Sequence, residues 1–409
     1  MKEVHHEPQP HGIAQHPSRM ARGVQLIPLI ILVVCVVAAT VAGLVVDARD
    51  DGASGKPSKK EGGQAAGEAS GLPASCAPAA ARRPTKEPWS GAARKRSERV
   101  FQARIRGEQP SYVRGEHGWL YFTDWQIDDF SQALGRVSAT KAQVRAWADY
   151  LAGLESAASS RGSRFYIVIA PAKWDVYPQY LPEWARKLRG TTTLDKLRKA
   201  HPELPFIDPR AALQEAGSED PTYEPLDSHW TPYGGYVAWQ AITDCLRKDA
   251  PEEFRGAGVP AIRGVGAVKA SNEFERVGIV PPSEPVRTVP EYAAPLVTTK
   301  ARSIATGERL ELGPDHVIDT TQTPVQLRSP GAQTQLHLLA LRDSTGNALS
   351  PLWSETFATV TQYVHPVGCP PETCATLPSL RLGSLLDEVE PDVTLLVMTE
   401  RYLGYGPPT

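Results

Sequence analysis

From about Ser97 onward the sequence predicts an α/β fold of three layers, a parallel sheet with helices on both faces. Two observations predict it. Short apolar runs of buried-strand type recur along the chain, such as 165–170 (FYIVIA) and 393–398 (VTLLVM). Between them lie segments whose apolar residues return at helical spacing, and strands alternating with helices build a parallel sheet.

The elements follow in order. In 115–122 (GEHGWLYF) a Gly-Glu-His-Gly turn leads into an aromatic strand. Val144, Trp147, Leu151, Leu154 and Ala158 line one side of a helix that Gly162 ends, and strand 165–170 comes next. A helix over 194–200 precedes a short strand at 205–207. Thr231-Pro232 supplies an N-cap and a proline at the first helical position, opening a helix to about Lys248. A less regular, β-leaning insert fills about 255–335. After it come strand 336–341, a helix from about Asn347, strand 360–364, a helix over 380–389 and strand 393–398. The folded domain is expected to be 97–409, and no internal repeat is visible.

Ahead of the fold, residues 1–23 form a polar tail containing His5, His6, His11 and His16, expected to be solvated and cytoplasmic; metal binding is the alternative. Residues 24–46 carry no charge, and at about 1.5 Å per residue they reach roughly 34 Å, enough to span a membrane. A buried core helix of this length would show a polar stripe, and a cleavable signal would be shorter. One uncleaved transmembrane anchor is therefore expected. Residues 47–96 are rich in Gly, Ala, Ser, Pro and Lys and read as a flexible tether.

The Lys and Arg flanking 24–46 do not by themselves place the N-terminus inside, but long domains cross regardless of such charges, so the domain is expected outside. The cysteines agree. Cys369 and Cys374 (CPPETC) can close a short loop, which leaves Cys76 and Cys245 as a pair; free thiols on a surface loop are the alternative. No metal site accompanies CPPETC, no cofactor is expected, and a net charge of −2 gives no reason to expect a nucleic-acid partner.

Reactive side chains in parallel sheets sit just past the carboxyl ends of strands. That rule selects Lys173, Ser344 and Arg401, and with them the loop Asp227-Ser228-His229-Trp230 before the Thr231 helix. A serine at a strand-to-helix turn lies where free N–H groups and the helix dipole stabilise an oxyanion, and its own N–H is a natural donor. The stretch 342–347 (RDSTGN) equally suits a plain N-cap. Serine needs a base, and the base an orienting partner. Positions i and i+2 of an extended segment point the same way, so Asp227 can fix one ring nitrogen of His229 and leave the other for Ser344. The bland alternative is a capping aspartate beside a loop histidine.

The motifs GEHGWLY from Gly115, PAKWDVYP from Pro171, DSHWTPYGG from Asp227, RDS from Arg342 and TERYL from Thr399 occur in this order. Together they resemble the SGNH-hydrolase-like domain of alginate O-acetyltransferases and related bacterial polysaccharide acetylation proteins, over roughly Ser97 to Leu403. DSHW is the most specific element. The serine block follows the Asp/His block, the reverse of ordinary SGNH hydrolases and an order this acetyltransferase group shares. The resemblance implies an SGNH-like (flavodoxin-like) sheet, with Ser344 as nucleophile, His229 as general base and acid, and Asp227 as orienting residue. It also implies a multispanning membrane acyltransferase as acetyl donor.

Two departures stand out. Arg342 occupies a place the family usually gives to glycine, where a bulky cation crowds the turn or alters access to the serine. No Gly-x-Asn-Asp block is visible, so no asparagine oxyanion donor is identified. Lys173, Arg342 and Arg401 are candidate auxiliary donors or substrate contacts, with ion pairing as the alternative; Trp230 is core packing or a sugar platform. The expected activity is acetylation of hydroxyls of a cell-surface or exported polysaccharide through the Ser344–His229–Asp227 triad and an acyl-enzyme. The alternatives are a glycan acetylesterase with the same triad, or a catalytically silent glycan-binding or assembly scaffold.

Overall fold

The computed structural model describes residues 72–77 and 87–408, apart from 126, 271, 282–283, 314 and 369–380. The expected tail, the anchor at 24–46 and the CPPETC cysteines lie outside the described residues. Among those described, no helix is long and apolar enough to cross a membrane.

Strands β1 (Tyr112–Arg114) and β2 (Leu120–Phe122) form a small antiparallel hairpin, turned by His117 and Gly118 at positive φ. The helix Lys141–Ser159 starts with a capping box between Thr140 and Gln143 and buries the five apolar positions its spacing marked. Gly162, at φ 78°, turns the chain into β3 (Arg164–Ala170), and β4 (Phe206–Ile207) follows the helix Thr193–Ala200. Thr231 caps the helix Pro232–Asp249, accepting from the Gly234 N–H.

The insert supplies β5 (Ile262–Lys269), β6 (Val286–Tyr292), β7 (Lys300–Ser303), β8 (Arg309–Leu310) and β9 (Val325–Arg328). Strands β10 (Thr334–Arg342), β11 (Phe357–Val364) and β12 (Val393–Thr399) complete the sheet, with the helices Ser350–Thr356 and Leu382–Val389 between them.

The main sheet runs β4-β3-β12-β10-β11-β9-β7-β8. Its first five strands are parallel, but β9, β7 and β8 join antiparallel. The expectation of a purely parallel sheet is therefore corrected to a mixed one. The edge of β11 would otherwise expose unpaired N–H and C=O groups, and the insert's short strands cover it. Among the described residues, strands β5 and β6 pair only with each other, as a hairpin separate from the main sheet.

Side chains alternate between two cores, as a sheet covered on both faces requires. Leu339, Leu341, Leu396 and Met398 pack with the helix Lys141–Ser159, whereas Leu338, Ala340, Leu395 and Val397 pack with Pro232–Asp249. This gives the three layers.

Of the stretch 47–96 expected as tether, the described residues 72–77 and 87–96 pack on the fold. Trp89 is buried, and its Nε1 donates to the carbonyls of Leu134 and Leu188, both at 2.7 Å. The helix Gly91–Ile105 follows, and a disulfide joins Cys76 to Cys245 in the helix Pro232–Asp249. That first helix buries only Ser97 and Phe101, so its cationic composition reads as linker.

Candidate active site

Strand β10 ends on the buried Arg342, and the buried Asp343 after it caps the turn that follows. The Asp343 N–H donates to the Val397 carbonyl at 3.1 Å, which ties β10 to β12. Its carboxylate accepts from the Thr345 N–H at 2.8 Å and from the Thr399 N–H at 2.6 Å. The turn Ser344–Leu349 is thus fastened between two strand ends, and it is a 3-10 helix where an α-helix from Asn347 was expected. The α-helix starts only at Ser350.

Arg342 folds beneath this turn, wholly buried, and donates to Gln362 Oε1, the Ile318 carbonyl and Asn347 Oδ1 at 2.9, 2.9 and 2.6 Å. A Cβ on Gly346 would collide with the Arg342 side chain, so the glycine sits over the cation instead of before the serine. Burial pushes the guanidinium down to about 10, with Asp343 and Asp319 opposing.

The loop carrying Asp227 is pinned at both ends. Tyr223 and Trp230 form a β-bridge, and the Thr231 N–H donates to the Thr222 carbonyl at 2.9 Å. Trp230 Nε1 donates to the Thr345 carbonyl at 2.9 Å, joining this loop to the turn at Ser344. Gly235 allows the same approach from the helix, because a Cβ there would lie 2.8 Å from the Ala348 Cβ.

The result is a line of hydrogen bonds. Asp227 Oδ1 accepts from the His229 backbone N–H at 2.9 Å and lies 2.7 Å from Nδ1, while Nε2 lies 2.8 Å from Ser344 Oγ. Residues 115 positions apart thereby meet. Burial favours the neutral imidazole, but the bonded Asp227 carboxylate and its charge outweigh it and lift His229 above its ordinary value. For Asp227 burial pushes upward, and the His229 hydrogen bond and charge prevail, holding the carboxyl below the usual range.

A cleft of about 1050 Å³ opens in front of Ser344 and His229. Its far wall is the β5–β6 hairpin and the segment after it, through Arg263, Arg287, Val289, Tyr292 and Leu296. The insert therefore forms half of the site. Trp230 lines this cleft, whereas Lys173, Arg342 and Arg401 do not, and Lys173 and Arg401 border a small separate cavity with Ser228.

The other two cations lie behind the DSHW loop. Lys173 is buried, donates to the Pro225 carbonyl at 3.0 Å and stands 5.3 to 5.5 Å from the rings of Trp119, Tyr121 and Phe274. Burial pushes it down to about 8, against the pull of Glu273 and Asp227. Arg401 faces the buried Asp129 at 3.8 Å.

Two carboxylates escaped the sequence reading. Glu273, in the insert, accepts from the Ser228 N–H at 2.8 Å, and its own N–H donates to the Leu226 carbonyl at 3.0 Å. Glu224 lines the cleft, and burial pushes it up to about 7, with Asp227 adding and Arg287 opposing. Only its place three residues before Asp227 hinted at it. Asp227, His229 and Glu273 each bring a ligand-type atom within 4.8 Å of the others, although Asp227 and His229 are already bonded to each other.

Residues 112–324, just over half of the chain, match the family described as SGNH hydrolase-like domain, acetyltransferase AlgX. The chain belongs to this family. The AlgX-type match includes Asp227 and His229 and stops short of Ser344, so the meeting of loop and serine is read from the geometry alone. Among curated relatives, the probable alginate O-acetylase AlgJ of Pseudomonas syringae is 26% identical over 150 residues, 36% of each chain. Its Pseudomonas putida counterpart is 27% identical over 150 residues, 35% of each. The aligned stretch spans about a third of the length of these relatives.

Among solved structures, Bacillus cereus PatB1 superposes with a TM-score of 0.50 at 12% identity, covering 73% of this chain and 97% of its own, a likeness of fold. The O-acetyltransferase domain of Pseudomonas putida AlgJ gives 0.44 at 16% identity, over 73% and 94%.

Proposed function

We propose that this chain transfers an acetyl group to a hydroxyl of an exported or cell-surface polysaccharide, through an ester formed on Ser344. The observation that carries the reading is the continuous line Asp227–His229–Ser344, with links of 2.7 and 2.8 Å, opening on a cleft large enough for sugar units. Membership of an acetyltransferase family supports acetyl as the group moved, and relatives named alginate O-acetylases support a polysaccharide acceptor.

In the first half-reaction Ser344 Oγ attacks the donor's carbonyl carbon while His229 Nε2 takes the hydroxyl proton. The carbonyl oxygen becomes an anion beside the start of the 3-10 turn, where the Ser344 N–H is the natural donor. The bond to the leaving group breaks, and His229 returns the proton to that group. In the second half an acceptor hydroxyl gives its proton to Nε2 and its oxygen attacks the acetyl carbon. Ser344 Oγ departs and recovers the proton. Asp227 holds the imidazole in the tautomer that presents Nε2 to serine and stabilises the imidazolium.

The uncharged run 24–46 supports a single-pass anchor with the domain outside, and the Cys76–Cys245 bond fits an oxidising compartment. A multispanning membrane acyltransferase is the proposed acetyl donor. The case for a silent scaffold rested on Arg342, and its side chain points into the core, away from the cleft. Hydrolysis of a glycan ester would use the same residues with water as acceptor.

The test is to incubate the full-length protein in detergent micelles with p-nitrophenyl acetate, with and without an oligosaccharide. Acetylated sugar from the wild type and none from Ser344→Ala is the expected result. Release to water alone would replace the transferase reading with the esterase one, and equal inactivity of both proteins would favour the scaffold.

A further inference from the structure

Glu224 belongs to the loop that carries Asp227 and His229, is 5% exposed and lines the same cleft as Ser344. Its Oε2 is buried and has no hydrogen-bond partner among the described residues. Arg287, on β6 in the facing wall, lines that cleft too, and its Nε is likewise buried without a partner. Buried polar atoms are normally paired, so an unpaired acceptor and an unpaired donor on two residues that line one cleft call for a partner entering from that cleft.

The chemistry of the pair restricts that ligand. A hydroxyl both donates and accepts, so it can give its proton to Glu224 and accept from Arg287. A carboxylate would satisfy Arg287 alone and meet the charges of Glu224 and Asp227, whereas a cation would meet Arg263 and Arg287. The apolar lining from Val289, Pro290 and Tyr292 suits the C–H face of a neutral sugar ring.

We infer that Glu224 and Arg287 form the acceptor subsite, holding the hydroxyl next to the one that is acetylated, so that the site selects a neutral vicinal diol. This rests on the transferase reading above. Glu224 and Arg287 are specificity-determining residues here, since they touch the acceptor and not the reacting carbonyl. The same geometry explains why the hairpin lies over the cleft. Thr288, next to Arg287, donates to the Thr231 hydroxyl at 2.8 Å, so the strand bearing the guanidinium is fixed to the cap of the helix that follows His229.

The experiment uses the full-length protein in micelles, p-nitrophenyl acetate as donor, and ethane-1,2-diol or ethanol as competing acceptors at equal concentration. Ester product is measured against free acetate. The wild type is expected to favour the diol over ethanol by about ten-fold, as a site built to bond a hydroxyl discriminates against its absence. Glu224→Leu and Arg287→Met, which keep bulk and remove the polar atoms, should each reduce that preference to about two-fold or less, and Glu224→Gln should retain part of it.

A wild type without the preference overturns the subsite, as do variants that keep it or lose transfer to both alcohols equally. Turnover that is absent from the wild type, or that survives Ser344→Ala, removes the transferase reading and the subsite with it. Serine-dependent turnover without diol preference removes only the subsite.

Discussion

In the proposed reaction His229 moves the proton, and its surroundings set the pH at which it would work. A general base acts only when neutral, so the rate rises with pH through its pKa. Asp227 lifts that pKa above the ordinary 6.5, which places the acid limb of kcat/KM higher than a free imidazole would. In Asp227→Asn the lifting partner is gone and burial remains, so the limb should move to lower pH while kcat falls by roughly a thousand-fold or more. A pH–rate profile unchanged by that substitution would contradict the assignment. The pairing of Asp227 with His229 was named from their spacing in an extended segment, but here the loop bends at Ser228 and His229, and Asp227 Oδ1 reaches the ring by also accepting from the His229 backbone N–H. Arg342 was not legible. Its backbone place suggested crowding at the serine, yet its side chain turns inward to Gln362, Asn347 and the Ile318 carbonyl. Arg342→Gly should therefore cost about 3 kcal/mol or more in urea unfolding, because it removes a buried cation from its partners. A loss below about 1 kcal/mol would show that those bonds contribute little.

The turn at Ser344 and the helix Pro232–Asp249 are held together by close backbone approach, for which Gly235 is required. Gly235→Ala would press a methyl group against the Ala348 Cβ and its carbonyl oxygen, 2.8 and 3.0 Å away. That should move His229 relative to Ser344 and lower kcat by about a hundred-fold, since a displacement near 1 Å is enough for such a loss. Near-wild-type kcat would mean that the two elements tolerate separation. The alternation of strands and helices could be read from apolar spacing, and the Thr231 cap from its Thr-Pro pair. The mixed sheet could not. Whether β9 joins β11 antiparallel depends on long-range pairing, and β7 and β9 are too short for their pattern to declare a partner. For the same reason the role of the insert as the cleft's far wall was hidden.

Across the folded body, the Cys76–Cys245 bond fixes a stretch that precedes the first helix to the helix beside the site. It spans 169 positions, and on the chain-entropy account closing so long a loop stabilises by about 5 kcal/mol. The double variant Cys76→Ser/Cys245→Ser should melt roughly 10 °C or more below the wild type by circular dichroism. A fall of about 2 °C or less would show that the bond adds little to this fold. The pairing was one of the outcomes the cysteine count allowed. The start of the fold was missed because a helix burying so little apolar surface looks, in composition, like linker. The bond supports the proposal of a domain held outside the cytoplasm.

An acetyl ester on Ser344 is the step on which the proposed chemistry turns. Wild-type protein mixed with p-nitrophenyl acetate, quenched rapidly in acid and mapped by peptide mass spectrometry should gain one acetyl mass on the peptide that contains Ser344. Ser344→Ala should gain none there and should not turn over the donor. Acetylation confined to another side chain, or turnover that persists in Ser344→Ala, would contradict it.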